Sequence, residues 1–128
     1  MGLAIANCLI KSGANLAAWN RSVSGADSLL RRGVTMAASP AACIAASPTI
    51  ITCLISQEIT KSVLEDVAKL AGKTIINLAN FTNCTPEQSR LMANLVQHRG
   101  PKSYIHGAVM VLPVLWASRH QSYSYLDL

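Results

Sequence analysis

Charge and aromatic side chains are both scarce in this sequence. Of 128 residues only 13% are charged and 5% aromatic, against a hydrophobic share of 51%. That balance excludes a disordered chain and leaves a core built mostly from aliphatic side chains. Basic runs are missing as well. The net charge is +5, but only Arg31 and Arg32 are adjacent, and no Lys/Arg tract alternates with rings. A nucleic-acid surface is therefore not expected, whereas scattered cations suit a small phosphorylated ligand. The four cysteines (Cys8, Cys43, Cys53, Cys84) form no C-x-x-C pair and have no histidine at a metal-ligand spacing. Zinc sites and disulfide frameworks are excluded on that ground, and part-buried reduced thiols are expected. No basic, apolar leader opens the chain, so the sequons at Asn20, Asn80 and Asn83 are read as chance. The longest apolar run, "GAVMVLPVLWA", is too short to cross a bilayer and contains Pro113. The expectation is a cytoplasmic chain with neither a membrane nor a nucleic-acid partner.

What is present is alternation. Segments of helical period exchange with short apolar runs, the pattern of parallel strands joined by crossover helices. A first helix is expected over Gly2 to Ser12, with Leu3, Ile5, Leu9 and Ile10 inward and Gly13 as its C-terminal cap. "NLAAWN" reads as a strand of weak propensity. "GADSLLRRG" then reads as a short helix and "VTMAAS" as a short strand. Ser39-Pro40 starts a helix, because serine can cap and proline sits where no amide donor is needed. "TIITCLI" (Thr49 to Ile55), β-branched and continuously apolar, reads as a mid-sheet strand buried on both faces. The next helix, about Glu58 to Ala71, places Ile59, Val63, Val67 and Leu70 on one stripe and pairs Glu65 with Lys69. "KTIINLAN" is another strand. Thr85-Pro86-Glu87-Gln88 carries a capping box, leading into a helix with Leu91, Met92, Leu95 and Val96 inward. "SYIHGAVM" is the last strand. Residues 114–128 show no period, so the ordered domain is expected to span 1–113.

The α-β alternation therefore describes a doubly wound parallel sheet that starts one strand late. In such sheets ligands bind beyond the carboxyl ends of the strands. Asn20-Arg21-Ser22 falls at one such end, about twenty residues past Gly2, where an acidic residue would hold the ribose of NAD. Arginine flanked by short polar side chains suits the 2′-phosphate of NADP instead. His98 near a helix C-terminus reads as structural. No Ser-His-Asp or Cys-His arrangement follows from the spacings, and no metal-ligand cluster appears.

"MGLAIANCLIKSG", "LAAWNRS", "ASPTIITCLIS", "GKTIINLAN", "CTPEQSRLMA" and "YIHGAVMVLP" occur in this order. As a set they resemble the NADP-binding, Rossmann-like domain of the 6-phosphogluconate dehydrogenase and β-hydroxyacid dehydrogenase superfamily, and within it the imine-reductase-like branch. The resemblance implies that Gly2 is the last glycine of the phosphate-binding turn. Asn20, Arg21 and Ser22 would take the adenosine ribose and its phosphate. Cys53, Leu54 and Ile55 would approach the middle of the cofactor. Asn80 and Thr85 would lie on the nicotinamide side, and Gly107 to Met110 would border the substrate pocket. It also implies hydride transfer between NADPH and a small carbonyl, imine or hydroxyacid. No catalytic residue is assigned.

Three departures from the family pattern stand out. The opening strand and first two glycines have no counterpart here. "NFTNCTP" is longer than the family's "NGTP" and puts Cys84 where glycine is usual, so a Cβ opposes any conformation with φ > 0. The helical second domain, which supplies much of the substrate pocket and the dimer surface, is also missing, so a homo-oligomer stays open. The chain reads as truncated at both ends, with either marginal stability or a sheet that closes up by re-pairing its strands. Weak activity or none is expected from it alone. A non-catalytic nucleotide-binding or interaction module completed by a partner chain is the alternative.

Overall fold

Helix and strand alternate along the chain as the apolar pattern requires. The computed structural model describes residues 1–22, 27–68, 77–97 and 103–110. In chain order the elements are α1 (Gly2–Lys11), β1 (Ala17–Ala18), α2 (Asp27–Leu30), β2 (Thr35–Met36), α3 (Pro40–Ala45), β3 (Thr49–Thr52), α4 (Gln57–Ala68), β4 (Asn77–Asn80), α5 (Pro86–Gln97) and β5 (Ser103–His106).

The helix ends follow local chemistry. Gly13 and Gly33 adopt φ of 83° and 80°, the left-handed conformation that closes α1 and the turn after α2. The Ser39 hydroxyl accepts the Ala42 amide at 3.1 Å, with Pro40 in the first turn of α3. Thr85 and Gln88 cap α5 reciprocally: the Gln88 amide donates to Thr85 Oγ1 at 3.2 Å, and the Thr85 amide to Gln88 Oε1 at 3.0 Å.

Every strand pairing is parallel. Ala17 stands opposite Thr35, Thr49 opposite Asn77, and Asn77 opposite Ser103. The strands form two sheets, a pair β1-β2 and a triplet β3-β4-β5. The position between β1 and β3 is left open, so the strands have not re-paired to close the sheet. A crossover carries α2 from β1 to β2 with α1 packed beside it, and α4 and α5 cross from β3 to β4 and from β4 to β5 with α3 packed on α4. The main core lies in the triplet: Ile44, Ile50, Leu64, Leu78, Met92 and Val96, with Leu95 and Tyr104 against it.

Several expectations change. "TIITCLI" stops being a strand at Thr52, and it is not buried on both faces. Ile50 and Thr52 are buried while Ile51 is 38% exposed, because β3 has a strand neighbour on one side only. "NLAAWN" and "VTMAAS" shrink to two-residue strands, as alanine-rich runs with a single partner do. On α4 the buried positions are Gln57, Thr60 and Leu64, while Ile59 is exposed. Leu91 on α5 also faces out. On α4 Thr60, a polar residue that finds partners, replaces Ile59 on the inner stripe, whereas on α5 Met92 and Val96 hold it. Glu65 pairs with Lys61, at 3.9 Å. The expected partner Lys69 lies outside the described residues, as do Leu70, His98 and the tail from 114.

Candidate functional site

In a parallel sheet all strands run one way, so the loops after β1, β3, β4 and β5 gather at one edge. The structure brings the site residues expected from sequence to that edge. Arg21 follows β1, is exposed, and makes no ion pair among the described residues. Asn20 turns its side chain inside the same loop, donating from Nδ2 to the Ser22 carbonyl at 2.9 Å and to Ser22 Oγ at 3.5 Å. These side-chain bonds brace the loop on either side of Arg21 without neutralising its charge.

Gly2 opens α1 at the end of β3. A Cβ on Gly2 would meet the Cys53 carbonyl oxygen at 3.6 Å, an ordinary contact. Glycine is thus compatible with the close approach of helix to strand but is not sterically forced. The first turn of α1 has neither an acidic residue nor a side-chain cap. Ala4 and Ile5 donate to the Met1 carbonyl, which leaves the Gly2 and Leu3 amides free at the positive end of a ten-residue helix.

The loop after β4 is held by a buried polar network, and Asn80 is its centre. Asn80 is fully buried. Its Oδ1 accepts from Thr52 Oγ1 and from the Thr82 amide, both at 3.0 Å. Its Nδ2 donates to Gln57 Oε1 at 3.1 Å and to Tyr104 Oη at 3.3 Å. Thr82, equally buried, accepts the Leu54 amide at 3.0 Å and lies 3.0 Å from Thr60 Oγ1. These bonds tie the tip of β3 to the tip of β4. Sequence reasoning placed Asn80 at the cofactor, but its hydrogen-bonding capacity is directed inward, toward four protein partners. Thr85 is spent on the cap of α5. The signal for this network lay in the polar residues Thr52, Thr60 and Thr82 interrupting apolar runs.

Spacing alone gave no Cys-His pair, yet the fold makes one. Cys84 Sγ lies 3.4 Å from His106 Nε2, joining the loops after β4 and β5. Partial burial pushes the Cys84 thiol up. His106 Nδ1 is buried without a hydrogen-bond partner. Tyr104 beside them is pushed up chiefly by burial, against the Asn80 hydrogen bond that lowers it. Cys84 does not take a positive φ; among the described residues only glycines do. Gly107 closes this corner, with its amide on the Asn80 carbonyl at 3.0 Å. A Cβ there would come within 2.8 Å of the Phe81 ring. Ile55 and Met110 are left 87% and 89% exposed at the strand tips. Free cation, open amides and bare apolar side chains on one edge are the components a nucleotide needs. No group of metal ligands occurs among the described residues.

The fold and this edge define a dinucleotide-binding α/β domain. Residues 1–106 match the NAD binding domain of 6-phosphogluconate dehydrogenase, and the chain belongs to that family. It is 35% identical over 121 residues to an NADPH-dependent reductive aminase of Aspergillus oryzae, covering 94% of this chain and 40% of that protein. The reductive aminase of Aspergillus terreus, solved with NADPH4, cyclohexanone and allyl amine, superposes with a TM-score of 0.77 at 34% identity, over 90% of this chain and 40% of that one. The imine reductase of Streptomyces aurantiacus gives 0.80 at 31% identity, over 88% and 39%. The chain spans about two-fifths of the length of these relatives.

Proposed function

We propose that this chain is the NADP-binding portion of an oxidoreductase that moves a hydride between NADPH and a small carbonyl, imine or hydroxyacid. The observation that carries the reading is Arg21: a guanidinium without an ion-pair partner among the described residues, at a strand tip, within a loop braced by Asn20 and Ser22. Where NAD is preferred an acidic residue stands there, and it would repel a 2′-phosphate. A fork of N–H donors attracts one. The free amides of Gly2 and Leu3 would hold a pyrophosphate oxygen, as helix N-termini do. Ile55, Leu54 and Cys53 line the path across the sheet edge, and the nicotinamide would supply the hydride when bound.

Asn80 and Thr85 act as positioning residues in this reading, since they fix the loop from Phe81 to Cys84 in place. That loop, with Gly107 to Met110, would border the substrate. The chain by itself would turn over little or no substrate, and it works in the cytoplasm, where four free thiols stay reduced.

Titration with NADPH and NADH tests the reading. The chain should prefer NADPH, and Arg21→Ala should remove the preference. A charge-assisted hydrogen bond at an exposed site contributes about 1.5 kcal/mol, or roughly tenfold in affinity. Equal affinity for the two nucleotides, or an Arg21→Ala variant that keeps the preference, would refute it.

A further inference from the structure

Four free thiols are spread over the fold, and one of them has a base beside it. The Cys43 thiol donates to the Ala17 carbonyl at 3.7 Å, and a carbonyl cannot take its proton. Cys84 Sγ lies 3.4 Å from His106 Nε2, and an imidazole nitrogen can. Among the described residues no other cysteine hydrogen-bonds a histidine. Cys84 stands where the family pattern has glycine, so this pair belongs to the chain's own sequence.

Backbone anchors set the separation. His106 ends β5 in register with Asn80, and the amide of the next residue, Gly107, is fixed on the Asn80 carbonyl at 3.0 Å. Cys84 sits between two other anchors. Thr82 is buried and bonded to Leu54 and Thr60, while Thr85 exchanges hydrogen bonds with Gln88 at the start of α5. A nucleophile and its base need such fixed geometry. Cys84 is only half-buried, as access by a small reactant requires.

The protonation states narrow the chemistry. Burial pushes the Cys84 thiol up, as it does at Cys43 and Cys53, so the resting sulfur keeps its hydrogen. Attack then needs a base at that moment, which Nε2 supplies when the imidazole hydrogen is on Nδ1. His106 Nδ1 is buried without a hydrogen-bond partner, and His106 joins no ion pair among the described residues. Nothing steadies an imidazolium there, so a proton taken by Nε2 has to be passed on. A substitution would leave it stranded. Addition across a conjugated double bond gives it a destination.

We propose that Cys84 and His106 form a covalent acceptor site for small, uncharged α,β-unsaturated carbonyl compounds. Sγ bonds to the β-carbon while its hydrogen passes to Nε2. The electron pair of the double bond moves toward the carbonyl to give an enolate, and Nε2 returns the proton to the α-carbon. The product is a neutral thioether; no atom leaves, and neither oxidant nor reductant is consumed. The Phe81 ring beside Gly107 puts an apolar surface next to His106, which suits an uncharged reactant. The proposal does not rest on the cofactor reading, and its test uses no nucleotide.

The probe is methyl vinyl ketone, added to the full chain at neutral pH, with the adduct on each cysteine followed by mass spectrometry. Positioned bases in active sites contribute about 10²–10⁴-fold; with no third group to orient the imidazole, Cys84 should react about tenfold faster in the native chain than in urea. Cys43 and Cys53 should show the reverse order. Exposure alone cannot accelerate Cys84 on folding, because unfolding opens every thiol to solvent. His106→Gln keeps hydrogen-bonding atoms but no base, so it should bring the native Cys84 rate down to its rate in urea and leave Cys43 and Cys53 unchanged. His106→Asn serves the same end if circular dichroism shows that His106→Gln does not fold. A native Cys84 rate equal to or below its rate in urea would overturn the proposal without any variant. So would an unchanged Cys84 rate in a folded His106 variant.

Discussion

Replacing Asn80 by leucine removes the centre of the polar network at close to the original volume. Four groups then lose a partner: the Thr52 hydroxyl, the Thr82 amide and Gln57 Oε1, all buried, and the part-buried Tyr104 Oη. Each buried unsatisfied group costs about 1–3 kcal/mol. The simple sum would exceed what single substitutions do, since losses above about 4–5 kcal/mol are exceptional. Neighbouring hydroxyls can also re-pair: Thr60 and Thr82 already lie 3.0 Å apart. The expected loss is therefore about 3–4 kcal/mol. Thr52→Val is the internal control. It removes one donor and leaves Asn80 Oδ1 still bonded to the Thr82 amide, so it should cost about 1 kcal/mol. Urea unfolding followed by circular dichroism measures both, with unchanged slopes as the condition for comparison. An Asn80→Leu loss below 1 kcal/mol, or one equal to that of Thr52→Val, would refute the idea that Asn80 organises the loop.

Gly107→Ala puts a methyl 2.8 Å from the Phe81 ring and should cost about 1–3 kcal/mol by overpacking. Phe81→Leu in the same chain should recover part of that loss in the urea midpoint. Burial pushes the Cys43 and Cys53 thiols up, the N-terminal amine opposing it at Cys53. A folded-state pKa above the unfolded value gives stability that is complete below the usual thiol range and lost as pH rises through the folded value. Tyr104 shifts the same way, so unfolding midpoints should fall as pH climbs past about 9, the usual thiol range. Alkylation of Cys43 and Cys53 should reach half-rate at a higher pH than a free thiol does.

Element type was readable in the sequence because it rests on local rules. Gly13 and Gly33, Ser39-Pro40, and Thr85 with Gln88 mark helix ends by chemistry that acts within four residues, and all act as expected. The tip residues Asn20 to Ser22 and Cys53 to Ile55 were readable for a similar reason, since parallel topology alone sends strand ends to one edge. Burial and pairing were not. Ile51 reads as core from its own chemistry and is exposed only because β3 lacks a neighbour. Ile59 gives way to Thr60, whose hydroxyl is satisfied from Ser56 at one end and Thr82 at the other. The Cys84–His106 pair joins residues 22 apart through the β4–β5 register, which no local spacing encodes.

The two halves of the sheet are unequally supported, and the site straddles them. Around β3, β4 and β5 the aliphatic core and the Asn80 network act together. Around β1 and β2 the pairing covers two residues, and the Cys43 thiol of α3 donates to the Ala17 carbonyl at 3.7 Å. Arg21 stands on the weaker half; Cys84, Tyr104 and His106 stand on the stronger. A dinucleotide reaching from one to the other needs their separation fixed. Among the described residues that separation is spanned by α1, whose first residue packs on Cys53 and whose last turn leads into β1, and by α3, which leads into β3 and touches Ala17 through Cys43. Hydrophobic contact along α1 is non-directional and tolerates sliding that a ladder of backbone hydrogen bonds would forbid. Under the proposed reading, weak cofactor affinity would follow from this loosely fixed separation and not from the Asn20–Ser22 turn.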